Sequence, residues 1–401
     1  MKLKKFTIGY LLILSIILIL ISHPYAKSLG GLTTDKKSLL SDYVQHAPIV
    51  INSNNDFANI ASSEGWPGDG SSTNPYIIQN IEINASGYGA AIYIGNTTVY
   101  FIIQNVDVHH AQFKGNFRLG AGIMLINVTH GNIINSKIHN NANHGIYMDR
   151  CSDVKLEMNE IKDNKWGIFV GVLGNSKIDN NTITSNTVSG IVIGSRSNNV
   201  VVEYNTLFKD NYGIEIRDSS NTRLKNNTID GDRSGAVGIR LYNSTGIICK
   251  NNTVENNWYG IFVEHGSSNQ ISGNIIIRNS EYGVYITGSS SNTIYENEFF
   301  YNHGSGDKYD SSHIQALDNG TDNTWYSTTT HRGNYWHDWA NNNDTNDPDN
   351  DGIVNYSYRI DGSAGAEDPY PLKKSNYTVP ELEVAIIVIS LIFVVFINIK
   401  K

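Results

Sequence analysis

The chain has 401 residues, 40% of them hydrophobic and only 17% charged, with a formal net charge of -8. A sparse, acidic charge balance excludes the basic footprint of a nucleic-acid binder and suits a solvated outer surface or cation binding. The length admits two or three globular domains or one extended repeat domain, and the repeats described below decide for the latter.

Residues 1–26 have the three parts of a secretory signal: Lys2, Lys4 and Lys5, an apolar run from Ile8 to Ile21, and Pro24-Tyr25-Ala26 with cleavage expected after Ala26. Residues 27–48 read as a polar leader. Residues 49–83 read as an N-terminal cap and first strands, with Ile49-Val50-Ile51 and Tyr76-Ile77-Ile78 on either side of a turn-rich insert from Gly65 to Pro75. Ile81, Ile83, Ile92, Ile94 and the stretch from Phe101 to Val108 continue the alternation. A longer turn between Gly89 and Gly122 carries an extra loop near Phe113 to Leu119.

Residues 84–303 form the body of a solenoid. A pattern of glycine, apolar, any, apolar starts at Gly122, Gly145, Gly167, Gly190, Gly213, Gly238, Gly260 and Gly283, which are spaced by 22 to 25 residues. Such a period marks a repeat architecture. Asn135, Asn159, Asn181, Asn205, Asn227, Asn252, Asn274 and Asn297 give each repeat one polar corner, and Asn140, Asn164, Asn186, Asp210, Asp232, Asn257, Asn279 and Asn302 give it another. Between corners apolar residues alternate, as in Val154, Leu156 and Met158, which is strand periodicity. The expected fold is all-β: a single-stranded parallel β-helix of about 23 residues per turn, with three short strands per turn and turns about 4.8 Å apart. Cys151 and Cys249 lie four turns apart in it, about 19 Å on that spacing, too far for a disulfide.

Residues 304–375 read as a C-terminal cap with an acidic loop, 376–383 as a linker, and 384–399 as a transmembrane helix. The last stretch is apolar apart from Ser390 and Asn398. It would span about 24 Å as a helix, short of a ~30 Å bilayer core unless flanking lysines snorkel. Glu381 and Glu383 before it and Lys400 and Lys401 after it leave the tail cytoplasmic and the bulk of the chain extracellular.

The Gly-Ile-x-Ile and Asn-x-Ile repeats, the entry Gly65-Trp66-Pro67-Gly68-Asp69-Gly70 with Asn74-Pro75-Tyr76-Ile77-Ile78, and the exit Gly333-Asn334-Tyr335-Trp336 with Asp368-Pro369-Tyr370-Pro371-Leu372 resemble NosD-type right-handed parallel β-helix proteins of the pectin-lyase-like fold. The resemblance covers residues 49–372. It implies a right-handed coil and an exported, often anchored protein that binds sugars, acts on them, or serves metal-centre maturation.

Four groups break the repeat. The third residue of each Gly-Ile-x-Ile strand must point outward, giving the column Met124, Tyr147, Phe169, Val192, Glu215, Arg240, Phe262, Tyr285. The residue before each glycine adds Ala121, His144, Trp166, Ser189, Tyr212, Val237, Tyr259, Tyr282. Tyr147, Trp166, Phe169, Tyr212, Tyr259, Phe262, Tyr282 and Tyr285 offer flat platforms to a polysaccharide or cell-surface glycan; stacking that merely stiffens the solenoid is the alternative. Glu215, Arg217, Arg240, Glu264 and His265 interrupt this face and are the candidates for lyase, epimerase or hydrolase chemistry, set against a plain cross-strand ion pair. His109 and His139 are expected to stack in adjacent turns, as a surface histidine stack without ligand; the alternative is that they share a transition metal, copper if the resemblance holds, or act in proton transfer, against which four methionines and two cysteines are few soft ligands. Asp347, Asp349, Asp351 and Gly352 have the spacing of the start of a calcium loop, with Tyr358 where a closing glutamate belongs, so that Asn355, Asp361 or Asp368 would complete the shell. Sequons are frequent, and Asn180, Asn226 and Asn251 are the expected glycan acceptors.

The leading expectation is thus a membrane-anchored extracellular β-helix that binds carbohydrate or serves a structural role, with a carbohydrate-active enzyme and a NosD-like maturation factor as alternatives.

Overall fold

A computed structural model describes residues 43–114, 119–194, 196–232, 235–340 and 347–377. The signal, most of the leader and the expected membrane segment 384–399 lie outside the described residues, among which no helix is long and apolar enough to cross a membrane. The described residues from Gln45 onward form one compact unit, a parallel β-solenoid.

Its strands build three long sheets. The first runs from Ile81–Asn84 to Tyr335–Trp336, the second through 11 strands from Ile49–Ile51 to Ala316–Thr321, and the third through 10 strands from Tyr76–Gln79 to Thr293–Tyr295. Each pairs residues one turn apart in parallel, as in Ile191 with Ile214 and Ile214 with Ile239. Inward residues such as Ile138, Leu156, Ile168, Ile191, Leu224 and Ile261 are fully buried and form one continuous core. The repeated glycine is set by close approach: a Cβ on Gly145, Gly167 or Gly238 would meet the carbonyl oxygen of the next turn's glycine at 2.6 Å.

Side-chain ladders at the three corners join turn to turn. In the first, the Asn227 backbone N–H donates to Asn252 Oδ1 at 3.0 Å and its Nδ2 to Asn252 Oδ1 and Val202 O at 2.9 Å each. Asn227 Oδ1 accepts in turn from the Asn205 N–H and Nδ2 at 3.0 Å. Every member is buried, so every amide group must find such partners. This corrects three corner assignments. Ser136, not Asn135, precedes Asn159 in the ladder, and Asn141, not Asn140, precedes Asn164. Asn135 and Asn140 are instead left-handed residues at the bend, with φ of 47° and 52°. Met158 holds the same kind of position at φ 55° and is 48% exposed, so the inward alternation ends at Leu156.

The third correction is Asp232. The turn between Gly213 and Gly238 is the longest of the set at 25 residues, and its extra length carries Asp232 outward to pair with Lys209 at 2.8 Å. Asp210 therefore stands at a gap. Its Oδ1 accepts from the Asn186 N–H and Nδ2, but its buried Oδ2 has no partner among the described residues. Oδ2 occupies the place where Asn164 and Asn186 put a donating amide nitrogen against the glycine column, and burial pushes the Asp210 carboxyl up to about 8.

Both ends of the coil are plugged. The helix α1, Asn54–Glu64, was not legible in the repeat. It is capped by Ser53 Oγ on the Asp56 N–H and closed by Gly65 at φ 68°, and it places Phe57 in a stack with Tyr76 at 4.9 Å and against Phe101 at 5.3 Å. At the other end Trp336 stacks between Phe299 and Tyr358 at 4.1 Å from each. The three ladders end there on three fully buried aspartates. Asn334 donates through N–H and Nδ2 to Asp368 Oδ2, Gln315 Nε2 donates to Asp338 Oδ1 at 2.6 Å, and Asn323 Nδ2 donates to Asp318 Oδ1 at 3.0 Å. A carboxylate only accepts, so it terminates a ladder without requiring a further turn.

One substitution should therefore have opposite effects at two sites. Asp210→Asn restores a donor inside a ladder and should stabilise by roughly 1–3 kcal/mol. The gain should be small at pH 5 and larger at pH 8, because a carboxyl whose native pKa is raised loses stability for the protein as pH climbs from about 4 to about 8. Asp368→Asn puts a donor where the Asn334 and Tyr370 N–H groups and Trp336 Nε1 already converge and should destabilise by a similar amount. Urea denaturation of both variants decides; effects of the same sign would refute the ladder account.

Candidate functional site

Outward residues of the second sheet stack in the expected column. Tyr147 pairs with Phe169, Phe169 with Val192, Val192 with Glu215, Glu215 with Arg240, Arg240 with Phe262, and Phe262 with Tyr285. The rings use their faces on each other: Tyr147 and Phe169 stack at 5.8 Å and 5°, and Phe262 and Tyr285 at 5.0 Å and 16°. At the N-terminal end of this face His144 stacks on Trp166 at 5.1 Å, with Lys165 Nζ 4.4 Å from the Trp166 ring. Burial pushes the His144 imidazole down to about 4, so it is a neutral packing residue.

Between the two aromatic groups lies the charged break, and four of its five expected members meet. Glu215 is fully buried, with Oε2 at 2.5 Å from Arg217 Nη2 and Oε1 at 2.8 Å from Arg240 Nη1. Arg240 Nη2 reaches Glu264 Oε2 at 2.5 Å, so one guanidinium bridges carboxylates two turns apart. Its plane also lies 4.8 Å from the Tyr242 ring, 5.7 Å from Tyr212 and 5.9 Å from Phe262. His265 stays outside this network, edge-on to Tyr242 at 6.1 Å. With each oxygen paired to an arginine and the side chain fully buried, Glu215 cannot be reached by a substrate as acid, base or nucleophile. The arrangement resembles the cross-strand ion pair, extended to four residues.

Past the break the face opens. Trp258, which the outward-column rule passed over because it lies two residues before Gly260, is 45% exposed and stacks on Tyr259 at 5.1 Å and 12°. Tyr259 packs on Phe262 and Tyr285, and Tyr282 on Tyr285. The Tyr282 hydroxyl donates to Asp361 at 3.2 Å. The sequence signal for Trp258 was only its adjacency to Tyr259.

His109 and His139 do stack, at 5.2 Å and 19°. Ring-nitrogen lone pairs lie in the ring plane, so parallel rings do not converge on one ion. His109 Nε2 meets Glu82 at 3.1 Å and His139 Nε2 meets Asp107 at 2.9 Å, and the series continues one turn on as Lys162 with Glu160 at 2.6 Å. The histidines thus hold places in an ion-pair row of the first sheet. Only His110 brings a second ring nitrogen near, its Nδ1 facing His109 Nδ1.

In the acidic loop, ligand oxygens of Asp347, Asp349 and Asp351 lie within 4.8 Å of one another, and Asp347 accepts from the N–H groups of Asp351 and Gly352 at 3.1 Å each. Two of the residues expected to complete a shell are occupied elsewhere: Asp368 ends a ladder, and Asp361 accepts from Tyr282. Tyr358 is buried against Trp336. Asn180, Asn226 and Asn251, expected as glycan acceptors, sit at left-handed bends, with φ of 54°, 54° and 56°.

A family model described as a periplasmic copper-binding protein (NosD) matches residues 188–340, and one described as a right handed beta helix region matches residues 45–207. No protein of curated function matches the chain. Among solved structures, the chain is similar to DFA-IIIase from Arthrobacter chlorophenolicus A6 at 13% identity and TM-score 0.47, covering 69% of this chain and 90% of that one. The Dettilon tailspike protein is similar at 14% identity and TM-score 0.47, with coverage of 75% and 59%. The A-module of a mannuronan C-5 epimerase from Azotobacter vinelandii gives 17% identity and TM-score 0.39, with coverage of 56% and 58%. None of these likenesses carries a functional argument.

Copper, which that family description implies, does not fit the described residues. The only cluster of three candidate ligands among them is the hard-oxygen trio Asp347, Asp349 and Asp351. Both thiols are buried and free, and burial pushes Cys151 up to about 11 and Cys249 up to about 12, so neither supplies a thiolate.

If the charged break holds the second sheet together, Glu215→Gln should destabilise by about 2 kcal/mol, a buried-pair loss discounted for the partial exposure of both arginines. Glu215→Leu combined with Arg240→Leu should recover part of that loss. Urea midpoints equal to wild type for Glu215→Gln would show the network to be energetically idle.

Proposed function

We infer a function from one premise: the chain belongs to the NosD-type right-handed parallel β-helix repeat proteins. It is an exported, membrane-tethered glycan-binding scaffold, and the glycan docks on the outer face of the second sheet around Trp258, Tyr259, Phe262, Tyr282 and Tyr285. The exposed Trp258 ring carries this reading, because most other rings of the column are stacked between neighbours. A sugar ring laid on the indole would find a hydroxyl acceptor in Glu281, whose N–H donates to the Trp258 carbonyl one turn back. Binding rather than catalysis is favoured by the capture of Glu215 and Glu264 by Arg240. The N-terminal signal and the apolar stretch 384–399 support export and tethering, and the periplasmic setting of the family agrees with export.

Oligosaccharides screened by glycan array and then titrated calorimetrically should bind without release of reducing ends or unsaturated products. Trp258→Ala should weaken the best binder about tenfold, the equivalent of one aromatic stacking contact. Absence of any glycan ligand, or unchanged binding by the variant, would remove the reading. Product release abolished by Glu264→Gln would replace it with the enzymatic one.

Calcium at Asp347, Asp349 and Asp351 belongs to the same proposal as a clasp for the C-terminal cap, supported by the clustered carboxylates. Added calcium should raise the thermal midpoint, a chelator should reverse the rise, and Asp349→Asn should abolish it. A midpoint insensitive to calcium would dispose of the clasp.

A further inference from the structure

On the outer face of the third sheet, charges in the earlier turns are balanced. Lys155 pairs with Glu157 at 2.6 Å, and Lys177 pairs with Asp179 at 2.9 Å and with Glu203 at 2.7 Å. The next two turns present Arg223, Lys225 and Lys250. Among the described residues no carboxylate reaches ion-pair distance of any of them. Glu203, the register neighbour of Lys225, is turned toward Lys177 instead. Lys225 stands directly opposite Lys250 and Arg223 opposite Ile248, so the two ammonium groups start from backbones about 4.8 Å apart and Arg223 lies two residues, about 6.6 Å, along the strand. Like charges directly opposite each other destabilise a sheet. In a chain with 38 acidic and 30 basic residues, such a trio leaves a local cationic patch open to an anion from outside the chain.

We propose that Arg223, Lys225 and Lys250 form a binding site for an anionic polysaccharide, a polymer of carboxylated or sulfated sugar units lying along the solenoid axis. The face continues in the two following turns with neutral hydrogen-bonding groups. Gln270 lies next to Ile248 and Ser272 next to Lys250, then Thr293 and Tyr295 follow in register, with Gln270 Nε2 bonded to the Tyr295 hydroxyl and Ser272 Oγ. Four turns thus offer three cations followed by the Gln270 amide and the Thr293 and Tyr295 hydroxyls, over about 14 Å of axis, with the buried Ser272 only anchoring Gln270. This sequence suits a polymer that carries both anions and hydroxyls. Nucleic acid is disfavoured because the cationic turns carry no aromatic side chain in their outward columns, whose register neighbours are Val201, Glu203, Gln270 and Ser272. The site is separate from the aromatic face of the second sheet.

Polygalacturonate and dextran sulfate, used as separate probes of the carboxylate and sulfate alternatives, are titrated against the full chain by biolayer interferometry, with neutral dextran and a duplex DNA as controls. At least one polyanionic glycan should bind, with an affinity that falls as sodium chloride is raised, and neutral dextran should not. The combined variant Arg223→Gln, Lys225→Gln, Lys250→Gln should lose roughly tenfold or more in affinity, the order expected for several cations removed from one site. Its thermal midpoint should equal or exceed that of wild type, since a like-charge contact is relieved. Trp258→Ala should leave polyanion binding unchanged, which separates failure of this site from failure of the glycan reading above. The inference is overturned if neither polyanionic glycan binds at low salt, if the triple variant binds like wild type, if duplex DNA binds as tightly as the glycans, or if Trp258→Ala abolishes the binding.

Discussion

The structure depends on a hydrogen bond that a buried asparagine makes in two directions. Its carbonyl oxygen satisfies the backbone N–H and amide of the turn before, and its own N–H and amide require an oxygen from the turn after. A turn of the coil cannot satisfy these groups alone, and leaving one buried amide unpaired costs on the order of 1–3 kcal/mol. Stability is therefore shared along the solenoid, and the last turn needs a residue that accepts without demanding more. Asp318, Asp338 and Asp368 meet that need in the C-terminal cap. The cap is thus the electrostatic end of the same ladders that begin near Ser136 and Asn141.

This closure of the interior leaves chemistry to the outer faces, and there geometry separates residues that a sequence column treats alike. Tyr147 and Phe169 spend their ring faces on each other, whereas Trp258, although stacked on Tyr259, stays 45% exposed. Glu215 and Glu264 resemble a pair of catalytic carboxylates until Arg240 is placed between them, when they become the two anionic ends of a bridge. His109 and His139 resemble a metal pair until their nitrogens are seen to face Glu82 and Asp107 in a row that Lys162 and Glu160 continue. In each case the local alternative to the functional reading is an ordinary stacking or charge contact between adjacent turns.

Electrostatic balance varies from face to face of the coil. The first sheet compensates its charges in its early turns, as in His139 with Asp107 and Lys162 with Glu160, but sets Asp230 opposite Glu255 further on; the second compensates them within one network. The third stops compensating at Arg223, Lys225 and Lys250. Exported solenoids present long regular surfaces, so a local imbalance of this kind is the available way to mark one stretch of an otherwise uniform face.

The sequence by itself determined the coil: the glycine period, the inward isoleucines, two ladders of corner asparagines and the outward column from Tyr147 to Tyr285 could all be read from spacing, because a parallel β-helix repeats one set of contacts every turn. Readings slipped by one residue at Asn135 and Asn140, where asparagine is equally suited to the left-handed bend and to the buried ladder position beside it. Helix α1 and the terminal aspartates were missed because they occur once and have no period to reveal them; the Ser53 cap and the closing Gly65 were the local signs of the helix. Only the tertiary structure decided which ring is free, which carboxylate is held and which cation is unpaired. Those properties depend on the distance between side chains 22 to 25 residues apart, and the period that brings them into register does not fix where each side chain then turns.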